Sequence, residues 1–111
     1  MGMSDLLQFS SATFKQEVLE SPSPVLVDFT ATWCHPCQLL EPLVKELAGQ
    51  WDGKVKVGQV DVDANAELAT RYGVMGVPTL ILFLKGEPAE RIVGLQPKDR
   101  LRARIEPHLG S

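Results

Sequence analysis

VDFTATWCHPC, residues 27–37, closes an apolar run that holds one carboxylate, then places the chain's only two cysteines three residues apart. Val25 to Phe29 is apolar at every position except Asp28, so the segment has no polar face to turn to water. Such a run belongs in a central strand covered on both sides. From Cys34 onward the period changes. Leu40, Leu43, Val44, Leu47 and Trp51 recur at helical spacing, with Gln38, Glu41, Lys45 and Gln50 opposite. Glu41 and Lys45 stand four apart in the favourable order. Pro42 falls inside this helix and cannot donate to the Gln38 carbonyl, which predicts a kink.

The same two periods alternate on either side. Leu6, Leu7 and Phe9 suggest a short first strand. Ser10 and Ser11 are cap candidates for a helix over residues 13–19, which Ser21-Pro22-Ser23-Pro24 stops. Lys54 to Val60 reads as a strand. Ala64 to Tyr72 reads as a short helix, capped by Asp63 or Asn65 and ended by Gly73. Thr79 to Leu84 is a second buried strand. Lys85-Gly86-Glu87 turns it into a hairpin partner, Ala89 to Val93. Pro97 opens a last helix with Leu101 and Ile105 inward, and Pro107 closes it. The order β-α-β-α-β-α-β-β-α implies an α/β fold with a parallel portion and an antiparallel edge.

The chain has 111 residues, 44% hydrophobic and 23% charged, as expected of one globular domain spanning 1–111. A net charge of −3 gives no electrostatic reason for nucleic acid as a partner. No apolar run approaches the roughly 20 residues that cross a bilayer, so no membrane association is expected. Residues 1–4 read as a disordered lead-in or as residues not native to the chain. Met1 to Asp5 lacks a basic patch followed by an apolar segment, so a cytoplasmic location is expected; a chain whose leader has been removed is the alternative. Gly2 suggests lipidation, but Leu6 occupies the position where that motif needs Ser or Thr.

The two thiols are read as chemical rather than structural, because a bridge across two residues constrains little unfolded chain. Cys34 sits where a strand ends and a helix begins. Unpaired N–H groups and the positive end of the helix dipole favour a thiolate there. Cys37 lies one turn on, within reach of the Cys34 sulfur. Cys34 then attacks a substrate disulfide, a mixed disulfide forms, and Cys37 displaces the reduced substrate. Pro36 stiffens the first turn at little cost. A metal site is not expected, since zinc wants four ligands and only His35, His108 and carboxylates remain. A metal bridged between two chains and an inert buried pair stay open. Asp28, placed between Val27 and Phe29, is expected to be buried with its ionisation pushed up. A carboxyl so tuned suits proton relay to or from Cys37, directly or through one water.

VLVDFTATWCHPC, the helix-interior Pro42, YGVMGVPTLILF, KGE and IVGLQP together resemble the thioredoxin family in order and spacing, from about Leu6 to Leu109. The resemblance implies the thioredoxin fold, a central mixed sheet of about five strands flanked by four helices. It implies reduction of protein disulfides with no bound cofactor, the Cys34–Cys37 pair being the redox centre. It also implies an NADPH-dependent thioredoxin reductase as partner; a monomer is the simple expectation. By position, Cys34 is the attacking thiol, Cys37 the resolving thiol and Asp28 the buried carboxylate. Trp33 shields the dithiol. Pro78 matches a cis-proline facing the disulfide. Gly76, Val77, Gly94 and Leu95 join Trp33 in a flat apolar docking surface, with the Val77 backbone pairing to an extended substrate strand.

Three positions depart from the family's usual pattern. His35 replaces glycine, Thr30 replaces an aromatic residue, and Gln59 replaces a lysine near the buried carboxylate. Loss of that cation is expected to raise the Asp28 ionisation further, and Thr30 to open space beside the active-site loop. His35 adds a partly cationic donor beside Cys34, expected to shift the couple towards a more oxidising potential; a solvent-facing histidine without effect is the alternative. Two other functions fit the same fold. One is an oxidase or isomerase in an oxidising compartment. The other is a low-turnover binding module using the apolar rim of Trp33 and Pro78.

Overall fold

The computed structural model describes residues 6–110, so the expected lead-in at 1–4 lies outside the described residues. Among the described residues five strands form one mixed sheet: β1 (Leu7–Phe9), β2 (Val25–Thr30), β3 (Lys56–Asp61), β4 (Thr79–Leu84) and β5 (Glu87–Val93). Their spatial order is β1-β3-β2-β4-β5. β3 pairs parallel with β1 and β2, while β4 runs antiparallel to β2 and β5. Among the described residues four helical segments flank the sheet: a π-helical turn (Lys15–Leu19), α1 (His35–Gln50), α2 (Ala66–Arg71) and α3 (Lys98–Ile105). A 3-10 turn, Glu106–Leu109, follows α3.

The central strand divides its side chains between two cores, as a period of two requires. Val25, Val27 and Phe29 of β2 pack with Phe9, Phe14, Val18, Leu68 and Phe83. Leu26 faces the other way, into a core with Leu40, Val44 and Leu47 of α1 and Leu101 and Ile105 of α3. Asp28 has the same parity as Leu26 and lies on the α1 side. β2 is therefore covered on both faces, which is why its sequence is an unbroken apolar run apart from that carboxylate. Each buried Val or Leu side chain contributes about 1.5–3 kcal/mol.

Several boundaries differ from the expectation, each for a local reason. β3 begins at Lys56 rather than Lys54, because the N–H groups of Lys54 and Val55 fold back to the Trp51 carbonyl at the end of α1. Gly53, at φ 84°, makes that reversal. α2 begins at Ala66 rather than Ala64. The Asp61 carboxylate accepts from the N–H of Asp63 at 2.9 Å and of Ala64 at 3.4 Å, holding this segment as a turn. Asn65 does not cap α2 with its side chain; its Oδ1 accepts from the Ser11 N–H at 2.9 Å and ties two segments together. Lys85 and Gly86 both take positive φ, so the hairpin closes in two residues and β5 starts at Glu87. In the first helical segment the Glu20 N–H reaches back to the Lys15 carbonyl, one residue further than an α-helix allows. Pro97 stands just before α3 with extended backbone rather than within its first turn. α1 runs through Pro42 to Gln50.

Candidate active site

β2 delivers the chain to the start of α1, and both cysteines sit at that junction. Cys34 is the N-cap residue, with extended backbone, and Pro36 occupies the first turn. Cys34 and Cys37 are disulfide-bonded, with Cα atoms 5.3 Å apart. The Cys37 N–H donates to Cys34 Sγ at 3.2 Å. This is the capping contact that serine or aspartate usually makes, with sulfur as acceptor. The same amide and the helix dipole are placed to hold negative charge on that sulfur once the bridge opens. Both cysteines are 3% exposed and pack with Ala31, Val62 and Val77.

The Val77–Pro78 bond is cis, and Cys34 Sγ lies 3.7 Å from the Val77 carbonyl oxygen. Thr79 Oγ1 donates to the Gly76 carbonyl at 2.7 Å, anchoring the segment ahead of the proline. The Gly94 N–H donates to the Pro78 carbonyl at 2.9 Å, so the end of β5 lies beside the same loop. Leu95 is 43% exposed and Trp33 68%. Trp33, Gly76 and Val77 share an apolar groove of about 280 Å³ with Val62, Val74 and Met75. His35 is exposed on the first turn of α1.

Sequence reasoning missed two parts of this surface. Trp33 is held by its indole N–H, which donates to Asp63 Oδ2 at 2.7 Å. Asp63 was expected at most to cap a helix, and no local signal links it to a tryptophan thirty residues earlier. Met75 is 96% exposed on the groove. Asp63→Ala frees the indole to swing. It is expected to raise KM for a protein disulfide about threefold to tenfold with kcat little changed, and to alter Trp33 emission. Steady-state kinetics with reduced insulin chains as readout checks this.

On the other side of Cys37, a second cleft of about 300 Å³ is lined by Thr30, Glu41, Gln59 and Asp61. Thr30 therefore borders open space, as its small side chain implied. Asp28 is 1% exposed. Burial drives its ionisation up from 3.8 to about 7, and the nearby Glu41 carboxylate adds to the rise; the Gln59 side chain opposes it. Gln59 Nε2 donates to Asp28 Oδ2 at 3.5 Å, while Asp28 Oδ1 has no hydrogen-bond partner among the described residues. A buried carboxyl that titrates near neutrality is suited to exchange protons at physiological pH.

Residues 5–107 match the protein-family model described as Thioredoxin. The chain is 47% identical over 107 residues to "Thioredoxin 1" of Nostoc sp., covering 96% of this chain and all of that protein. It is 44% identical to "Thioredoxin" of Synechocystis sp., with the same coverage. Over 84 residues it is 51% identical to "Thioredoxin" of Staphylococcus saprophyticus, covering 76% of this chain and 81% of that protein.

Proposed function

The chain belongs to the thioredoxin family, and from that premise we propose a division of labour among its site residues. The protein is a dithiol–disulfide oxidoreductase that reduces protein disulfides. In the proposed cycle the Cys34 thiolate attacks a substrate sulfur and expels the other substrate sulfur as a thiolate. Cys37, deprotonated with Asp28 as proton acceptor, then attacks Cys34 and releases the second substrate sulfur. Two electrons pass to the substrate, and the Cys34–Cys37 bridge is left. The observation that carries this reading is the bridge itself, capping α1 beside an open apolar groove.

Docking is assigned to Trp33, Gly76, Val77, Pro78, Gly94 and Leu95. The Val77 backbone pairs with an extended substrate segment next to the disulfide. Pro36 fixes the turn between the two thiols. The dithiol is the redox centre, so the domain, acting as a monomer in the cytoplasm, carries no cofactor of its own. An NADPH-dependent thioredoxin reductase restores it. A coupled assay tests direction and partner together: NADPH should be consumed in proportion to insulin reduced. No NADPH consumption with an active reductase would overturn the reductase direction in favour of oxidase or isomerase chemistry.

His35, exposed next to Cys34, is assigned a tuning role. A cationic donor there favours the thiolate, hence the reduced form, and makes the couple more oxidising. His35→Gly is expected to shift the equilibrium with glutathione about threefold towards the disulfide. An unchanged equilibrium constant would remove the role.

A further inference from the structure

Three strands each place one polar side chain on the sheet face beneath α1, side by side. The register aligns Gln8 of β1 with Gln59 of β3, and Gln59 with Asp28 of β2. Gln8 Nε2 donates to Gln59 Oε1 at 2.9 Å, and Gln59 Nε2 donates to Asp28 Oδ2 at 3.5 Å. Asp28 and Gln59 are buried, whereas Gln8 is exposed on an edge strand. A hydrogen-bonded row therefore links solvent to the buried carboxyl.

Each amide has a donor end and an acceptor end. The direction observed suits an ionised Asp28, which only accepts. A protonated Asp28 keeps one accepting oxygen and gains an O–H, which finds no acceptor among the described residues when it sits on Oδ1. On Oδ2 the same amides satisfy it by turning over, Gln59 Oε1 accepting from Asp28 and Gln59 Nε2 donating to Gln8 Oε1. The carboxyl binds one proton and none passes through the amides. We propose that Gln8 and Gln59 form a reversible ladder whose direction follows the proton on Asp28, which makes exposed Gln8 a positioning residue for that proton. The consequence for catalysis rests on the proposed exchange between Asp28 and Cys37. The charged and titratable groups lining the clefts that Gln8 and Gln59 border are Cys37, Glu41 and Lys45 of α1 and Asp61 of β3; β4 sets apolar Leu80 beside Asp28. None of these needs Gln59 as intermediary, so their influence is separable from the ladder's.

Gln8→Lys supplies only a donor and locks the ladder in the direction that favours the carboxylate. Gln8→Glu, ionised, supplies only an acceptor and locks the opposite one. Carboxyl-carbon NMR titration of Asp28 is expected to show its ionisation lowered by the first and raised by the second, each about tenfold in ionisation constant. Through-space charge acts in the same sense, so both substitutions are repeated on Gln59→Leu, where each effect should shrink to about twofold. The Gln59 side-chain amide resonances should also move with the Asp28 midpoint. Equal effects in both backgrounds, or a Gln59 amide blind to that midpoint, would overturn the ladder. If the ladder passes while Gln8→Lys leaves the pH profile of dithiol exchange unmoved, the ladder stands and the catalytic role of Asp28 falls.

Discussion

Cys34→Ser is expected to lower insulin reduction by at least about a thousandfold, because an alcohol at this position is neither ionised nor able to form the mixed disulfide. The argument is local. Cys34 caps α1 and receives the Cys37 N–H, so its sulfur is the one offered stabilisation as an anion. Cys37 lies a turn inside the helix, and in the proposed cycle it displaces whatever Cys34 captures. Cys37→Ser should therefore fail differently. Attack proceeds, release does not, and a one-to-one adduct with substrate accumulates, visible by mass spectrometry without reductant. Insulin turnover in Cys34→Ser equal to that of the unmodified protein would defeat the catalytic reading and leave a binding module.

Asp28→Asn is expected to make the protein more stable in alkaline solution and slower in exchange. A carboxyl that ionises at about 7 when folded, against the ordinary 3.8, keeps its proton in the folded chain over an interval where the unfolded chain has lost it. Stability therefore falls as pH rises from about 4 to about 7 and stays low above, by about 4 kcal/mol in all. Asparagine cannot ionise, so its gain should be near zero at pH 4 and about 4 kcal/mol at pH 8.5, or about 15 °C in Tm. Gln59, turned over, can still pair with the new amide. Loss of the proposed proton acceptor should slow release of the mixed disulfide about tenfold to a hundredfold near pH 7, with recovery at higher pH. A stability difference independent of pH would show that Asp28 does not titrate in the folded protein above its ordinary range.

The strands with one unambiguous period are legible in the sequence. Val25 to Phe29 and Thr79 to Leu84 fall within or on the observed strands, and Leu40, Val44, Leu47 and Trp51 are buried as their spacing implied. Boundaries were less legible. Lys54 has strand-compatible neighbours, but its N–H is taken by the carbonyl at the end of α1. Asn65 has cap chemistry, but Ser11, fifty-four residues away in sequence, claims its oxygen. A propensity describes what a residue does with its neighbours in the chain: Asn65 found its partner elsewhere, while Lys54 is held by a local turn to Trp51 that its strand-compatible neighbours masked.

The sequence by itself determined the α/β order, the central place of β2 and the thiol pair at a strand–helix junction. These follow from apolar periodicity and three-residue spacing, which act over one or two turns of chain. Only the tertiary structure decided that Asp63 holds Trp33, that β5 brings Gly94 to Pro78, and that Gln8 and Gln59 line up with Asp28. Those contacts depend on which strands lie side by side and in what register, and that is set by packing the whole sheet between two layers of helices.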